Sequence, residues 1–404
     1  MGVVSPSGLD LETFWNNVRS GQSAADVLTR FEPEECPARL AAEIYDWEAT
    51  DFLDAKLAKR TERSLQFALV AARFAAEDAA LDLGEVDADR VGIVEATSVS
   101  NLESAYRARD AVDMRGARGI SPSMMVGGYV GSGSAEIANS LGCRGHAITC
   151  SSSSASGNDV MGYAMHMIQH EDVDVMVAGG AEAPIVDTLY FGFAQVRAMS
   201  RWQGKPALAM KPFDQAGDGF VLGEGGAYVV LEELTHALNR GARIYAEVAA
   251  QSRACEAYHP MAPHPDGWGV SRAMEKALRA ARIEPSQIDY INVHGTANEP
   301  NDVAETRAIK NVFGPHAQRL AVSSTKPITG HPLAAAGAIE TVICALSIVH
   351  SEIPPTINLR NPHPECDLDY VVNGSRRYPI QCTINLNSGF GGKTSCLILK
   401  RFEA

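Results

Sequence analysis

Four serines in a row, Ser151–Ser154, follow Cys150 and the short apolar run of Ala147 and Ile148. Beyond them Val160, Met161, Tyr163, Ala164, Met167 and Ile168 recur with helical spacing. The pattern predicts a strand, a tight turn and a helix start, the setting in which many enzymes hold a nucleophile. Cys150 and each serine are candidates on chemistry alone. Two histidines also occupy settings that suit a cleft. His294 follows the run "DYINV" and precedes Gly295-Thr296, and His331 closes "TKPITGH" just ahead of the small-residue segment "PLAAAGAIE". An imidazole at a strand end can serve as acid, base or hydrogen-bond donor. It can equally be a structural residue, the plain reading for the other nine histidines.

Two rival chemistries fit less well. No HExxH, His-x-His or Cys/His pairing occurs, which argues against a zinc site. The elbow signature G-x-S-x-G is missing at the serine block, although Asp302 and Glu305 lie near His294 in sequence.

The elements that must position these residues alternate along the chain. "RVGIVEAT", "VDVMVAGGAEA", "GAYVVLEE", "IDYINVHG", "RLAVSST" and "TSCLILKRF" read as strands. "ERSLQFALVAARFAAEDAAL", "VSRAMEKALRAARI" and "AAAGAIETVICALSIVHS" read as helices. This predicts an α/β fold with buried sheets. At 404 residues the chain can hold two core-bearing halves, and no low-complexity linker separates them. Eight cysteines without CxxC spacing read as reduced thiols of a cytoplasmic protein. No apolar run is long enough for a membrane span, and no leader pattern opens the chain. A net charge of −14 argues against nucleic acid as main partner. A local basic patch, Lys56, Lys59, Arg60 and Arg63, could still meet an acidic protein.

"DVDVMVAGGAEAP", "KPFDQAGDGFVLGEGG", "YINVHGTANEPNDVAET", "VSSTKPITGHPLAAAGAIE", "PPTINL" and "NSGFGGKTS" together resemble the β-ketoacyl-acyl carrier protein synthases over nearly the whole chain. The resemblance implies a thiolase-like fold: two pseudo-twofold-related halves in five α-β-α-β-α layers. The halves would be residues 1–238, carrying the nucleophile position, and 239–404, carrying the histidines. It also implies a homodimer or a ketosynthase-like heterodimer, acyl carrier protein as partner, and no cofactor beyond the phosphopantetheine that carries the substrate. In this family a Cys accepts an acyl group and two histidines promote decarboxylation of a malonyl thioester. By resemblance His294 and His331 are those histidines, Lys326 the site's Lys, Glu340 the buried Glu, Phe390 the gating aromatic, and Thr296 and Asn298 the pantetheine contacts. Lys56, Lys59, Arg60 and Arg63 fall where the family's carrier-docking helix lies.

Register identifies the nucleophile position. The family places a Gly eight residues after its Cys, and counting back eight from Gly162 reaches Ser154, with Cys150 four residues earlier. Ser therefore stands where the family has Cys. A thiol of pKa about 8.5 becomes an available thiolate at a helix N-terminus beside a histidine. A hydroxyl does not, and without a general base in reach it is a poor acyl acceptor. Decarboxylation needs only donors for the enolate oxygen, which the resemblance finds in the two histidines and in the backbone N–H groups of Ser154 and Phe390. Ser for Cys with both histidines kept resembles the malonyl-carrier-protein decarboxylases of polyketide β-branching cassettes. The other expectations are a condensing synthase, natively Ser or changed from Cys, and a non-catalytic partner subunit.

Overall fold

The computed structural model describes residues 1–403, with the backbone alone for Met125 and Val126. Ten strands form two five-stranded sheets. The first sheet contains β1 (Gly2–Val4), β2 (Val91–Ala96), β3 (Ala147–Cys150), β4 (Val175–Glu182) and β5 (Gly225–Glu232), in the order β1-β5-β4-β2-β3. The second contains β6 (Glu247–Cys255), β7 (Tyr290–Asn292), β8 (Ala321–Ser323), β9 (Cys382–Gly389) and β10 (Lys393–Lys400), in the order β6-β10-β9-β7-β8. Counted from its own first strand, each half has the same order. The pairing senses match too: β2 is parallel to β3 and β4, as β7 is to β8 and β9, and the remaining pairs are antiparallel. The chain is one topology laid down twice.

The helices repeat as well. α1 (Arg63–Asp78) covers the outer face of the first sheet, and α3 (Trp268–Ala281) covers that of the second, with α4 (Glu299–Phe313) against it. α2 (Ser156–Gln169) and α5 (Ala335–His350) lie between the sheets and against each other. This gives the five layers expected. α5 is buried on every side from Ala335 to Ile348, as its almost uninterrupted apolar and small sequence requires. The two central helices touch through glycine. A Cβ on Gly157 would lie 2.4 Å from the Ala338 nitrogen, and one on Gly337 2.7 Å from the Asn158 nitrogen. That close crossing brings the start of α2, with Ser154 just before it, up to the segment ahead of α5 that carries His331.

Parallel strands aim their carboxyl ends at this crossing. β3 runs into the serine block, β7 into His294, and β8 into Lys326, so the functional segments converge where α/β proteins generally bind ligands.

Candidate active site

Ser154 is set by a turn whose backbone is satisfied by hydroxyls. The Ser152 N–H donates to Ser156 Oγ at 2.7 Å, and that hydroxyl donates to the Ser153 carbonyl at 2.5 Å. Ser153 adopts a left-handed backbone, φ +60°, costly for a residue with a Cβ and of a kind that clusters at functional sites. Ser156 thus has a local role: its short hydroxyl replaces backbone partners that a sharp strand-to-helix turn lacks. Gly389 allows the next loop to close on this turn, since a Cβ there would sit 3.0 Å from the Ser154 nitrogen.

A cavity of about 470 Å³ opens at the turn, lined by Ser154, His294, Thr296, Asn298, His331 and Phe390 among others. Cys150 does not line it. It sits half-buried on β3, its thiol pushed up chiefly by burial. Phe390 is 40% exposed at the mouth, its ring 6.1 Å from that of Phe193.

The geometry corrects one expectation. An imidazole is within reach of the hydroxyl: His331 Nε2 lies 3.1 Å from Ser154 Oγ. What the site lacks is anything to stabilise that ring as a cation. His331 Nδ1 is buried without a partner among the described residues, and Phe220 packs edge-on at 4.9 Å. Burial first, and Lys326 second, hold its pKa well below the ordinary imidazole value. A buried N–H without an acceptor is tolerated less often than an unused lone pair. The neutral ring therefore keeps its proton on Nε2 and donates it toward Ser154 Oγ.

His294 stands at right angles to His331, ring centres 5.4 Å apart. Its own N–H and that of Gly295 donate to Glu305 at 2.6 and 2.8 Å. Burial pushes Glu305 up to about 8, and neighbouring Asp302, which accepts from the Phe213 N–H, up to about 7. The His294 side chain, like His331, is held well below the ordinary value, by burial and then by Lys326 and His331. Lys326 donates to Glu340 at 2.6 Å, with both side chains essentially unexposed. Neither lines the cavity; the pair lies behind the histidines and contributes a fixed field.

The sequence reading missed three residues here. Asn387 Nδ2 donates to Glu340 Oε2 at 2.8 Å and to Asn385 Oδ1 at 3.0 Å, while its oxygen faces His294 Nδ1 at 3.4 Å. Asn385 in turn donates to Asn158 Oδ1 at 2.8 Å. The available signal was Asn-Leu-Asn in a strand otherwise fit for a core.

The proposed docking patch divides. Lys56 and Lys59 are exposed. Arg60 donates to both oxygens of Glu136, at 2.6 and 2.7 Å. Arg63 is turned inward, bonded to Glu224 at 2.8 and 2.6 Å and to the Ile44 carbonyl at 2.6 Å. It is a structural residue, because its donors are already used inside the fold. Among the described residues no cluster of His, Cys, Asp and Glu could hold a metal, and no helix is long and apolar enough to cross a membrane.

Residues 1–237 match the family model described as beta-ketoacyl synthase, N-terminal domain, and residues 245–360 the one described as beta-ketoacyl synthase, C-terminal domain. The chain is 39% identical over 403 residues to a 3-oxoacyl-[acyl-carrier-protein] synthase 2 of Synechocystis, covering 100% of this chain and 97% of that protein. It is 41% identical over 401 residues to the protein of the same name in Coxiella burnetii, covering 99% and 97%. Among solved structures it is similar to a type II polyketide ketosynthase in complex with its acyl carrier protein, with a TM-score of 0.92 and 32% identity, covering 99% of this chain and 98% of that one.

Proposed function

The chain belongs to the β-ketoacyl synthase family, and from that premise we propose that it decarboxylates a malonyl group carried as a thioester on an acyl carrier protein, releasing the acetyl thioester. The observation that carries this reading is the pairing of Ser154 with a histidine that cannot activate it. His331 points an N–H at the hydroxyl, has no partner for Nδ1, and feels the charge of Lys326 with no carboxylate bonded to the ring. A serine nucleophile needs the opposite arrangement: a lone pair toward the hydroxyl and an oriented acid behind the ring. Loss of CO2 makes no such demand. The malonyl carboxylate leaves, its electrons pass into the thioester, and the enolate oxygen takes a hydrogen bond from His331 Nε2–H. Thr296 and Asn298 hold the pantetheine arm, Phe390 stands at its entrance, and exposed Lys56 and Lys59 meet the acidic carrier.

A second reading is supported by the relatives' name: a condensing synthase in which Ser154 is acylated. A partner subunit without catalysis fits less well, because both histidines and the Lys326–Glu340 pair are intact. Incubation with malonyl-carrier protein, followed by intact mass, tests the proposal. Acetyl-carrier protein should accumulate, with the enzyme's own mass unchanged. A β-ketoacyl-carrier product formed through an acylated Ser154 would replace this reading with the second.

A further inference from the structure

The two histidines are not equivalent, and the cause is a chain of amides behind them. Asn158, Asn385 and Asn387 are all fully buried. Their orientations are fixed from the Glu340 end. Glu340 already accepts from Lys326 at one oxygen, so its other oxygen must face the NH2 of Asn387, at 2.8 Å. The same NH2 reaches Asn385 Oδ1. Asn385 then donates to Asn158 Oδ1, to the Gly337 carbonyl at 2.8 Å and to Thr341 Oγ1 at 3.0 Å. Asn158 ends the chain by donating to the Asn385 carbonyl at 2.9 Å. Reversing any one amide would set oxygen against oxygen inside the core and leave buried polar atoms unsatisfied. The remaining atom of Asn387, its oxygen, can only accept, and it faces His294 Nδ1.

We infer that Asn387 is a positioning residue that holds His294 as the Nδ1–H tautomer, so that Nε2 presents a lone pair to the cavity while His331 presents an N–H. The site then has one donor and one acceptor rather than two donors. This rests on the proposed decarboxylation for its consequence alone. The enolate left by loss of CO2 must take a proton at carbon, and a condensing enzyme has no such step. An acceptor at Nε2 holds a water by one O–H and leaves the other free to face that carbon. The carbon takes the proton, and the hydroxide combines with CO2 and leaves as bicarbonate.

The test reads the tautomer directly. In protein labelled with 15N-histidine, without substrate, the His294 signal is identified by its loss in His294→Gln. It should show the protonated-type shift at Nδ1 and the lone-pair shift at Nε2, with His331 reversed. A His294 ring protonated at Nε2 overturns the inference whatever the activity proves to be. A correct tautomer without acetyl-carrier formation would instead remove the decarboxylase reading and leave the assignment standing. Asn387→Leu removes the acceptor at similar volume. It should mix the two tautomers and lower kcat about tenfold or more with KM within about twofold. An unchanged tautomer in Asn387→Leu would refute the role of Asn387.

Discussion

At the scale of the residue, the site turns on which nitrogen carries a proton. Both imidazoles are held well below their usual pKa, chiefly by burial, so both stay neutral where a free histidine, of pKa about 6.5, would charge. The imidazoles should therefore impose no midpoint near pH 6.5 on decarboxylation, any change between about pH 8 and 7 belonging to Glu305 and Asp302, and a fall with its midpoint near 6.5 would contradict the assignment. Stability behaves differently. Below about pH 6.5 the unfolded imidazoles take up protons that the folded ones refuse, so both rings make the fold less stable as pH drops through that value. Replacing His331 by Ala should cost roughly 10²–10³ in rate, the scale of one lost oxyanion donor. Ser154→Cys should make position 154 reactive to iodoacetamide, since the new thiol meets the helix start and His331. Alkylation mapped to Cys150 instead would show the register to be wrong.

At the scale of the element, the sequence showed more of the strands and helices than of the contacts between them. Apolar alternation located β2, β4, β5, β7, β8 and β10, and periodicity located α1, α3 and α5. It passed over the short β1, and over β6 and β9, whose sequences "EVAAQSRAC" and "CTINLNSG" break apolar alternation with polar residues, those of β9 inside a buried strand. Asn385 and Asn387 belong there because partners satisfy them, and partners distant in sequence are invisible to a local pattern. Ser154, His294 and His331 were legible because family motifs carry them. Arg63 was misread for the opposite reason: a basic run looks the same whether its side chains face solvent or Glu224. Arg63→Met should leave Glu224 buried without its cation and cost roughly 3–5 kcal/mol, seen as a lowered Tm. Lys59→Glu should leave Tm alone and raise KM for malonyl-carrier protein but not for a small malonyl-pantetheine analogue. If both substrates suffer equally, Lys59 is not a docking residue. Gly337→Ala should force α2 and α5 apart, costing about 1–3 kcal/mol and separating Ser154 from His331.

At the scale of the molecule, two copies of one topology meet at their central helices, and each supplies half of the site. The first half gives Ser154 to the cavity, and the second gives His294, His331 and Phe390, with the Lys326–Glu340 pair buried beside them. Edge strand β3 leaves Ala147 exposed and Ile148, Thr149 and Cys150 half-buried, the surface a second copy would extend by strand pairing. Sedimentation should give about twice the chain mass of 43.2 kDa, and a monomer at micromolar concentration would rule this out. On the proposed reading the fold keeps the decarboxylating half of its chemistry and does not use Ser154 as a nucleophile. The most direct measurement is the initial rate of acetyl-carrier formation from malonyl-carrier protein by Ser154→Ala beside the native chain. The two rates should lie within about threefold of each other, because the lost hydroxyl stabilises no charge that the enolate develops. A fall of 10²-fold or more, the scale of removing a catalytic group, would show that Ser154 reacts and that the account is wrong.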